Sequence, residues 1–233
     1  MTAASIVHAC RRLDRRGLVA GTSGNVSART APGIVLATPT ARFKGDLEAA
    51  DLVRLAHDGA AWSRPAGASS EIAMHLAIYD ACPEAGAVVH AHPECATALA
   101  TAAERVDLTV TAEGAAGVGP IARIGWVRPG GDALATAVAA AARRARVVLL
   151  AHHGAVTWDV SVEAALARME SLEHVARIAL RVDALGGPRL PAGEVAALRA
   201  AYGLDAMAPV EAIEMPPISG CPGTGRLSDS EGY

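Results

Sequence analysis

The chain has 233 residues, 52% hydrophobic, 19% charged and 3% aromatic, with a formal net charge of −3. That size and composition suit one globular domain whose core is filled mainly by Ala, Val and Leu. The small net charge, spread without a basic block, excludes an electrostatic footprint for nucleic acid, and apolar runs such as 137–142 and 147–151 are too short to span a bilayer.

In chain order, residues 2–16 predict an amphipathic helix. Ile6, Val7, Cys10 and Leu13 share one face, Arg11, Arg12, Asp14 and Arg15 lie largely on the other, and Gly17 is the stop. Gly21–Ser27 reads as a Gly/Ser/Thr loop. Residues 33–38 read as a strand closed by Pro39, residues 51–55 as a second short strand, and 57–60 as a hairpin turn. Ser69-Ser70-Glu71 predicts the start of a helix running to about Cys82, with a serine cap and an acidic first turn. Residues 87–90 predict a buried strand, and Pro93 opens a helix to about Ala103. A strand is expected over 108–111, a helix over 132–144 and a buried strand over 147–151. The longest helix starts at Ser161 and ends near Gly186-Gly187-Pro188, and a last helix covers about 192–202. Strands and helices are interspersed, so the class is α/β. A folded domain is expected over residues 1–210 and a Pro/Gly-rich tail over 211–233, since 216–233 lack any apolar period. The N-terminus shows no secretory signal, and Cys10, Cys82, Cys95 and Cys221 form no CxxC pair, which predicts a soluble cytoplasmic protein with ordinary reduced thiols.

Three segments carry chemistry. His90-Ala91-His92 ends one buried strand, and alternation places residues i and i+2 on one side of an extended chain. His152-His153-Gly154 follows another buried strand; if that strand continues, the two imidazoles point to opposite faces and one of them binds. Glu71 lies at the helix start. Imidazoles plus one carboxylate make a divalent-metal set of the catalytic zinc type. His75, one turn beyond Glu71, reads as a supporting or core residue, and His8, His57 and His174 as solvated. Gly21–Ser27 and Ser69-Ser70 offer N–H and hydroxyl groups suited to an anion.

Taken together, Gly-Thr-Ser-Gly-Asn-Val-Ser at 21–27, Thr-Pro-Thr at 38–40, Ser-Ser-Glu at 69–71, Val-Val-His-Ala-His-Pro at 88–93 and His-His-Gly at 152–154 resemble the class II aldolase/adducin family. The likeness is greatest to its L-fuculose-1-phosphate aldolases and the related 5-deoxypentulose-1-phosphate (methylthioribulose-1-phosphate) aldolases. The resemblance implies a single three-layer α/β/α sandwich around a central mixed or antiparallel sheet. It implies a homotetramer with active sites at subunit interfaces. It places metal ligands at Glu71, His90, His92 and His153, and phosphate contacts at Gly24, Asn25, Thr40, Ala41, Ser69 and Ser70. The family usually has glycine where this chain has Ala41. An aldolase tyrosine expected in the segment 108–111 is absent, with Thr111 nearest; a second matches Tyr202. Glu71 stands where the family's 4-epimerases carry aspartate, which points to aldolases, decarboxylases or dehydratases.

The resulting expectation is a metal-dependent aldolase acting on a small phosphorylated sugar. It would cleave fuculose 1-phosphate or a 5-deoxy or 5-methylthio pentulose 1-phosphate to dihydroxyacetone phosphate and an aldehyde. Zn2+ is the first choice of cation, with Mn2+, Co2+ or Fe2+ able to use the same ligands. Glu71 would bind the metal and move the proton at C3, Tyr202 would serve the C4 hydroxyl, and the tail would fold over the site. The alternatives are an epimerase, dehydratase or decarboxylase of the same fold, or a non-catalytic adducin-like module.

Overall fold

The computed structural model describes residues 3–102 and 106–202. A seven-stranded sheet runs through the middle in the order β3-β2-β1-β4-β7-β6-β5. Its strands are β1 (Asn25–Ala31), β2 (Ile34–Ala37), β3 (Val53–Ala56), β4 (Ala87–Ala91), β5 (Ile121–Ile124), β6 (Val147–Leu150) and β7 (Gly154–Asp159). Every neighbouring pair is antiparallel except β5–β6, which is parallel.

Helices cover both faces. Helices α1 (Ala3–Arg15), α3 (Glu94–Ala102) and α5 (Val162–Ala184) pack on one face, and α2 (Ile72–Ala81) and α4 (Asp132–Ala142) on the other. The two apolar layers follow from strand alternation. Val89 and Ala91 of β4 and Val147 and Leu149 of β6 join the α1/α3/α5 side, while Val88, Val148 and Leu150 join the α2/α4 side. Strands buried on both faces read as continuous apolar runs rather than alternating ones, which is how β4 and β6 look in sequence. The fold is the single α/β/α domain that the sequence implied. A sixth helix, α6 (Ala192–Ala201), packs on a π-helical turn at Glu113–Val118.

Several local expectations are corrected. Residues 108–111 form a turn, not a strand: Asp107 Oδ1 accepts both the N–H and the hydroxyl of Thr109, and Thr111 Oγ1 accepts from Gly114 N–H. Asp107 thereby takes the Thr109 N–H, a backbone donor that a strand would have used. Three strands escaped the periodicity reading. β1 was hidden behind its glycine-rich approach, β5 is four residues long, and β7 begins inside the His-His-Gly motif. That motif is the loop of a β6–β7 hairpin in which Leu150 pairs with Gly154. Glu71 is the residue preceding α2 and not part of its first turn, and no serine side chain caps that helix. Instead Ser69 Oγ accepts Glu71 N–H at 3.2 Å, a local turn that competes with the capping geometry. Ser161, by contrast, caps α5 by accepting Ala164 N–H. No described helix is long and apolar enough to cross a membrane. The boundary near residue 210, the tail and Cys221 lie outside the described residues.

At the end of β7, buried Asp159 accepts hydrogen bonds from Arg146 (2.9 Å), Arg168 (2.7 Å) and Val160 N–H (2.8 Å). Burial pushes this carboxyl up, but the Arg168 and Val160 hydrogen bonds and the two guanidinium charges outweigh it and hold it below its ordinary value of 3.8. A depressed carboxylate adds stability above its unfolded-state pKa and loses it as pH falls through the folded one. Asp159→Asn should lower unfolding stability at pH 7 by about 2–3 kcal/mol. In denaturant titrations that deficit should shrink below about pH 4; a deficit independent of pH would contradict the assignment.

Candidate metal centre and adjoining cleft

β4 and β6 flank β7 and are each antiparallel to it, so they run in the same direction. Their C-terminal ends open on one edge of the sheet. β4 delivers His90 within the strand and His92 just beyond it, and the β6–β7 loop delivers His153. The N-terminus of α2 brings Glu71 to the same edge from the helical layer. One donor atom from each of these four residues lies within 4.8 Å of the others. Glu71 Oε2 is 3.2 Å from His90 Nε2, Glu71 Oε1 is 2.9 Å from His153 Nε2, and the Nε2 atoms of His90 and His92 are 3.1 Å apart. The three imidazoles meet edge to face, with centroids 4.8–5.3 Å apart.

The surroundings set the protonation that a ligand needs. His90 Nδ1 lies 3.0 Å from Ala155 O. A carbonyl only accepts, so Nδ1 carries the proton and Nε2 offers its lone pair to the cluster. Burial, reinforced by the neighbouring His90 and His153, pushes the His92 imidazole down to about 4, and it is neutral at pH 7. Burial pushes the Glu71 carboxyl up, but the adjoining His153 and His90 imidazoles outweigh it and hold it well below the usual carboxylate range. Glu71 Oε1 is buried and, despite its closeness to His153, makes no hydrogen bond of acceptable geometry. Three imidazole nitrogens and an orphaned carboxylate oxygen converging on one point fit a divalent cation, whose bonds to nitrogen and oxygen are about 2 Å. Among the sequence candidates, the geometry chooses His153 over His152. The latter sits in the loop at φ 60°, exposed, its N–H on Thr101 Oγ1.

Other side chains hold this edge in place. Asn25 pairs with His90 across the β1–β4 ladder and donates to Glu71 Oε2 at 3.3 Å. His75 stays outside the cluster. Its Nδ1 lies 2.8 Å from Ser27 Oγ, which in turn lies 2.9 Å from Tyr79 OH, and burial pushes the imidazole down to about 3. Glu173, buried on α5, accepts the N–H groups of Cys95 and Ala96 at 3.1 and 3.0 Å. It thereby anchors the helix that begins immediately after His92-Pro93. Two glycines are required by close approach. A Cβ on Gly24 (φ 72°) would lie 2.9 Å from His90 O, and one on Gly154 would lie 2.9 Å from His92 Cδ2.

Beside the cluster lies a cleft of about 270 Å³ lined by Gly24, Asn25, Thr40, Ala41, Ser69, Ser70, Glu71 and His92, together with Thr22, Ser23, Pro39, Lys44 and Pro129. All six positions singled out for phosphate therefore share one cavity with two of the metal-site residues. Sequence reasoning missed Lys44 and Pro129. The signal for the first was available, because Lys44 is the only lysine in the chain. Ala41, where the family pattern favours glycine, has φ 53°, a left-handed backbone conformation that carries strain in an L-residue. Tyr202 is placed elsewhere, at the end of α6 and 70% exposed; it does not line the cleft of its own subunit.

An α/β/α domain with a carboxylate and three imidazoles at the sheet edge fits a scaffold able to hold a divalent metal. Residues 4–180 match the family Class II Aldolase and Adducin N-terminal domain, and the chain belongs to it. It is 35% identical over 198 residues to the 3-oxo-tetronate 4-phosphate decarboxylase of Cupriavidus necator, covering 82% of this chain and 90% of that one. It is 31% identical over 188 residues to the L-fuculose phosphate aldolase of Escherichia coli, covering 80% and 86%. Among solved structures, YgbL of Klebsiella pneumoniae, described as an aldolase/epimerase/decarboxylase, superposes with a TM-score of 0.78 at 32% identity over 85% of this chain and 100% of that one. The family expectation holds, and the decarboxylase stands above the aldolase in identity.

Zinc at about 100 times its Kd should stabilise the wild-type protein by about 2.7 kcal/mol. His90→Ala and His153→Ala should abolish both that gain and stoichiometric zinc in elemental analysis; metal retained by either variant at wild-type affinity would break the assignment. Separately, Ala41→Gly should raise stability by up to about 1 kcal/mol in chemical denaturation, because relief of left-handed strain exceeds the added backbone entropy. A loss of stability would show that the Ala41 conformation is not strained.

Proposed function

We propose that this chain is a divalent-metal lyase that decarboxylates a short 3-oxo sugar-acid phosphate, with aldol cleavage of a ketose 1-phosphate as the second reading. The observation that carries the choice is the acid–base content of the cleft. Aldol cleavage must remove a proton from the C4 hydroxyl as the C3–C4 bond breaks. Loss of CO2 needs no such acceptor, because the carboxylate departs as a neutral molecule. Among the described residues no tyrosine lines the cleft. The segment 108–111 has none, Tyr79 is buried against Ser27, and Tyr202 is exposed on α6. The 35% identity to a 3-oxo-tetronate 4-phosphate decarboxylase supports the same reading.

The residues divide the work as follows. The hydroxyls of Thr40, Ser69 and Ser70 and the backbone of 22–25 and Ala41 hold the phosphate. Glu71, His90, His92 and His153 hold the cation, for which three imidazoles and a carboxylate favour zinc. When bound, the cation supplies Lewis-acid stabilisation of the negative charge left as the carbon–carbon bond breaks. For a 3-oxo-tetronate 4-phosphate, the C1–C2 bond breaks, its electron pair stays on the C2–C3 unit, and CO2 leaves. Glu71, oriented by the Asn25 amide, relays a proton from water to C2. The product is dihydroxyacetone phosphate, the same three-carbon fragment that an aldolase of this family would release.

The proposal includes a cytoplasmic homotetramer. Trp126 is 52% exposed and packs edge-on to His152 beside the metal site, a surface that a neighbouring subunit would cover. In the second reading a neighbour's α6 would bring its Tyr202 to the aldehyde half, and the substrate would be fuculose 1-phosphate or a 5-deoxy or 5-methylthio pentulose 1-phosphate.

Zinc-loaded protein should be assayed with 3-oxo-tetronate 4-phosphate and a panel of ketose 1-phosphates, following dihydroxyacetone phosphate and CO2. The decarboxylation should exceed any aldol cleavage at least tenfold in kcat/KM, and Glu71→Gln should lower kcat by about 10²–10⁴. Aldehyde release without CO2 would establish the second reading in its place.

A further inference from the structure

The chain has one lysine among its 21 basic residues, and that lysine is buried, with 1% of its surface exposed. Lys44 follows the Thr40–Phe43 turn and lines the cleft beside the metal site. Its ammonium donates to Thr22 O at 3.0 Å and to Arg42 O at 2.7 Å. The first acceptor belongs to the glycine-rich loop and the second to the segment after Thr40-Ala41, so the side chain ties together two walls of the cavity. Both acceptors are neutral carbonyls. No carboxylate of the described residues forms an ion pair with Lys44, because Arg42 takes Asp51 and the other ion pairs lie elsewhere. The neighbouring Cys10 thiol is no counter-ion, since burial pushes it up to about 12.

A buried charge without a counter-charge is costly. Two carbonyl dipoles answer two of the three ammonium protons and leave the net charge uncompensated. Burial alone would favour the neutral amine, and it lowers the Lys44 pKa. An anion entering the cleft would supply the missing charge. The hydroxyls of Thr40, Ser69 and Ser70 surround the same cavity and can donate to an anion's oxygens, whereas Glu71 lies at the metal end. An ammonium also suits the position better than a guanidinium. It is a compact point charge with donors in three directions, where a planar fork would need room for five N–H groups.

We propose that Lys44 is the fixed counter-charge of the phosphate subsite, bracing its two loops and selecting dianionic phosphate monoesters. This rests on the phosphorylated-substrate reading above but not on which carbon–carbon bond is cleaved. Lys44 is a binding and positioning residue; it takes no part in proton transfer.

The single lysine makes the test direct. Zinc-loaded wild-type protein labelled with ε-¹³C lysine should show one lysine signal, which should move saturably as inorganic phosphate is added. Lys44→Met should weaken phosphate binding at least tenfold in calorimetry while keeping its zinc. Wild-type affinity should also rise as phosphate passes from monoanion to dianion, and this slope should flatten in the variant. A lysine signal that stays still while phosphate saturates the protein would overturn the proposal. So would a folded Lys44→Met with unchanged phosphate affinity, or a wild-type protein that does not bind phosphate. The labelled wild type decides the matter even if Lys44→Met does not fold. A moving signal in a protein that fails to decarboxylate would leave the counter-charge standing and reject only the decarboxylase reading.

Discussion

Everything at this site depends on bringing three imidazoles and one carboxylate to a single point. Such a set is unfavourable without a cation, since the lone pairs repel and the carboxylate is desolvated. The fold therefore has to impose it. β4 and β6 run in the same direction on either side of β7, so both release their histidines at the same edge. The Ala155 carbonyl fixes the His90 tautomer. Asn25, paired with His90 in the sheet, holds Glu71 from the side. Glu173 secures the start of α3, and with it the segment that carries His92. Each of these contacts is a second layer that orients a ligand, which is how protein metal sites are commonly tuned.

The cleft beside the candidate metal site is built from the same pieces of backbone. Asn25 ends the glycine-rich loop and begins β1, so one residue belongs to the cavity wall and to the ladder beside His90. Gly24 must be glycine because the chain passes too close to the His90 carbonyl for a Cβ. Backbone strain is concentrated at this edge of the molecule. Among the described residues, Ala41 in the cleft and His152 next to a ligand are the non-glycine residues with positive φ. Strain of this kind persists where surrounding structure over-determines a conformation, and it is common around functional sites.

The relatives carry decarboxylase and aldolase names on this one scaffold. On the proposed reading, a phosphate held at one end and a cation at the other would position a carbonyl and its neighbouring carbon in between. What leaves from that carbon depends on residues at the open side of the cleft. An aldehyde needs a proton acceptor there and CO2 does not. The described residues of this subunit place no tyrosine in the cleft. The lone lysine belongs to the opposite, constant end, where charge rather than reaction type matters.

The sequence by itself determined the α/β class, the layered fold through its motif set, and the residues of the candidate metal site. Two buried apolar runs ending in histidines and a glutamate after paired serines are local signals, legible because ligand type and spacing are written in neighbouring residues. The helices were legible for the same reason: Ile6, Cys10 and Leu13 mark a face at helical period, and Ser161 is a cap by chemistry. Less legible were β1, β5 and β7, and the segment 108–111 was read wrongly because Asp107 and Thr111 redirect its hydrogen bonds. Tertiary structure alone decided that Glu71 precedes its helix, that Tyr202 stands away from the cleft of its own subunit, and that Lys44 is buried beneath two loops without a carboxylate partner among the described residues. These outcomes depend on hairpin closure, strand order and the meeting of segments far apart in the chain, and no local pattern of residues encodes which distant carbonyl or charge a side chain will face.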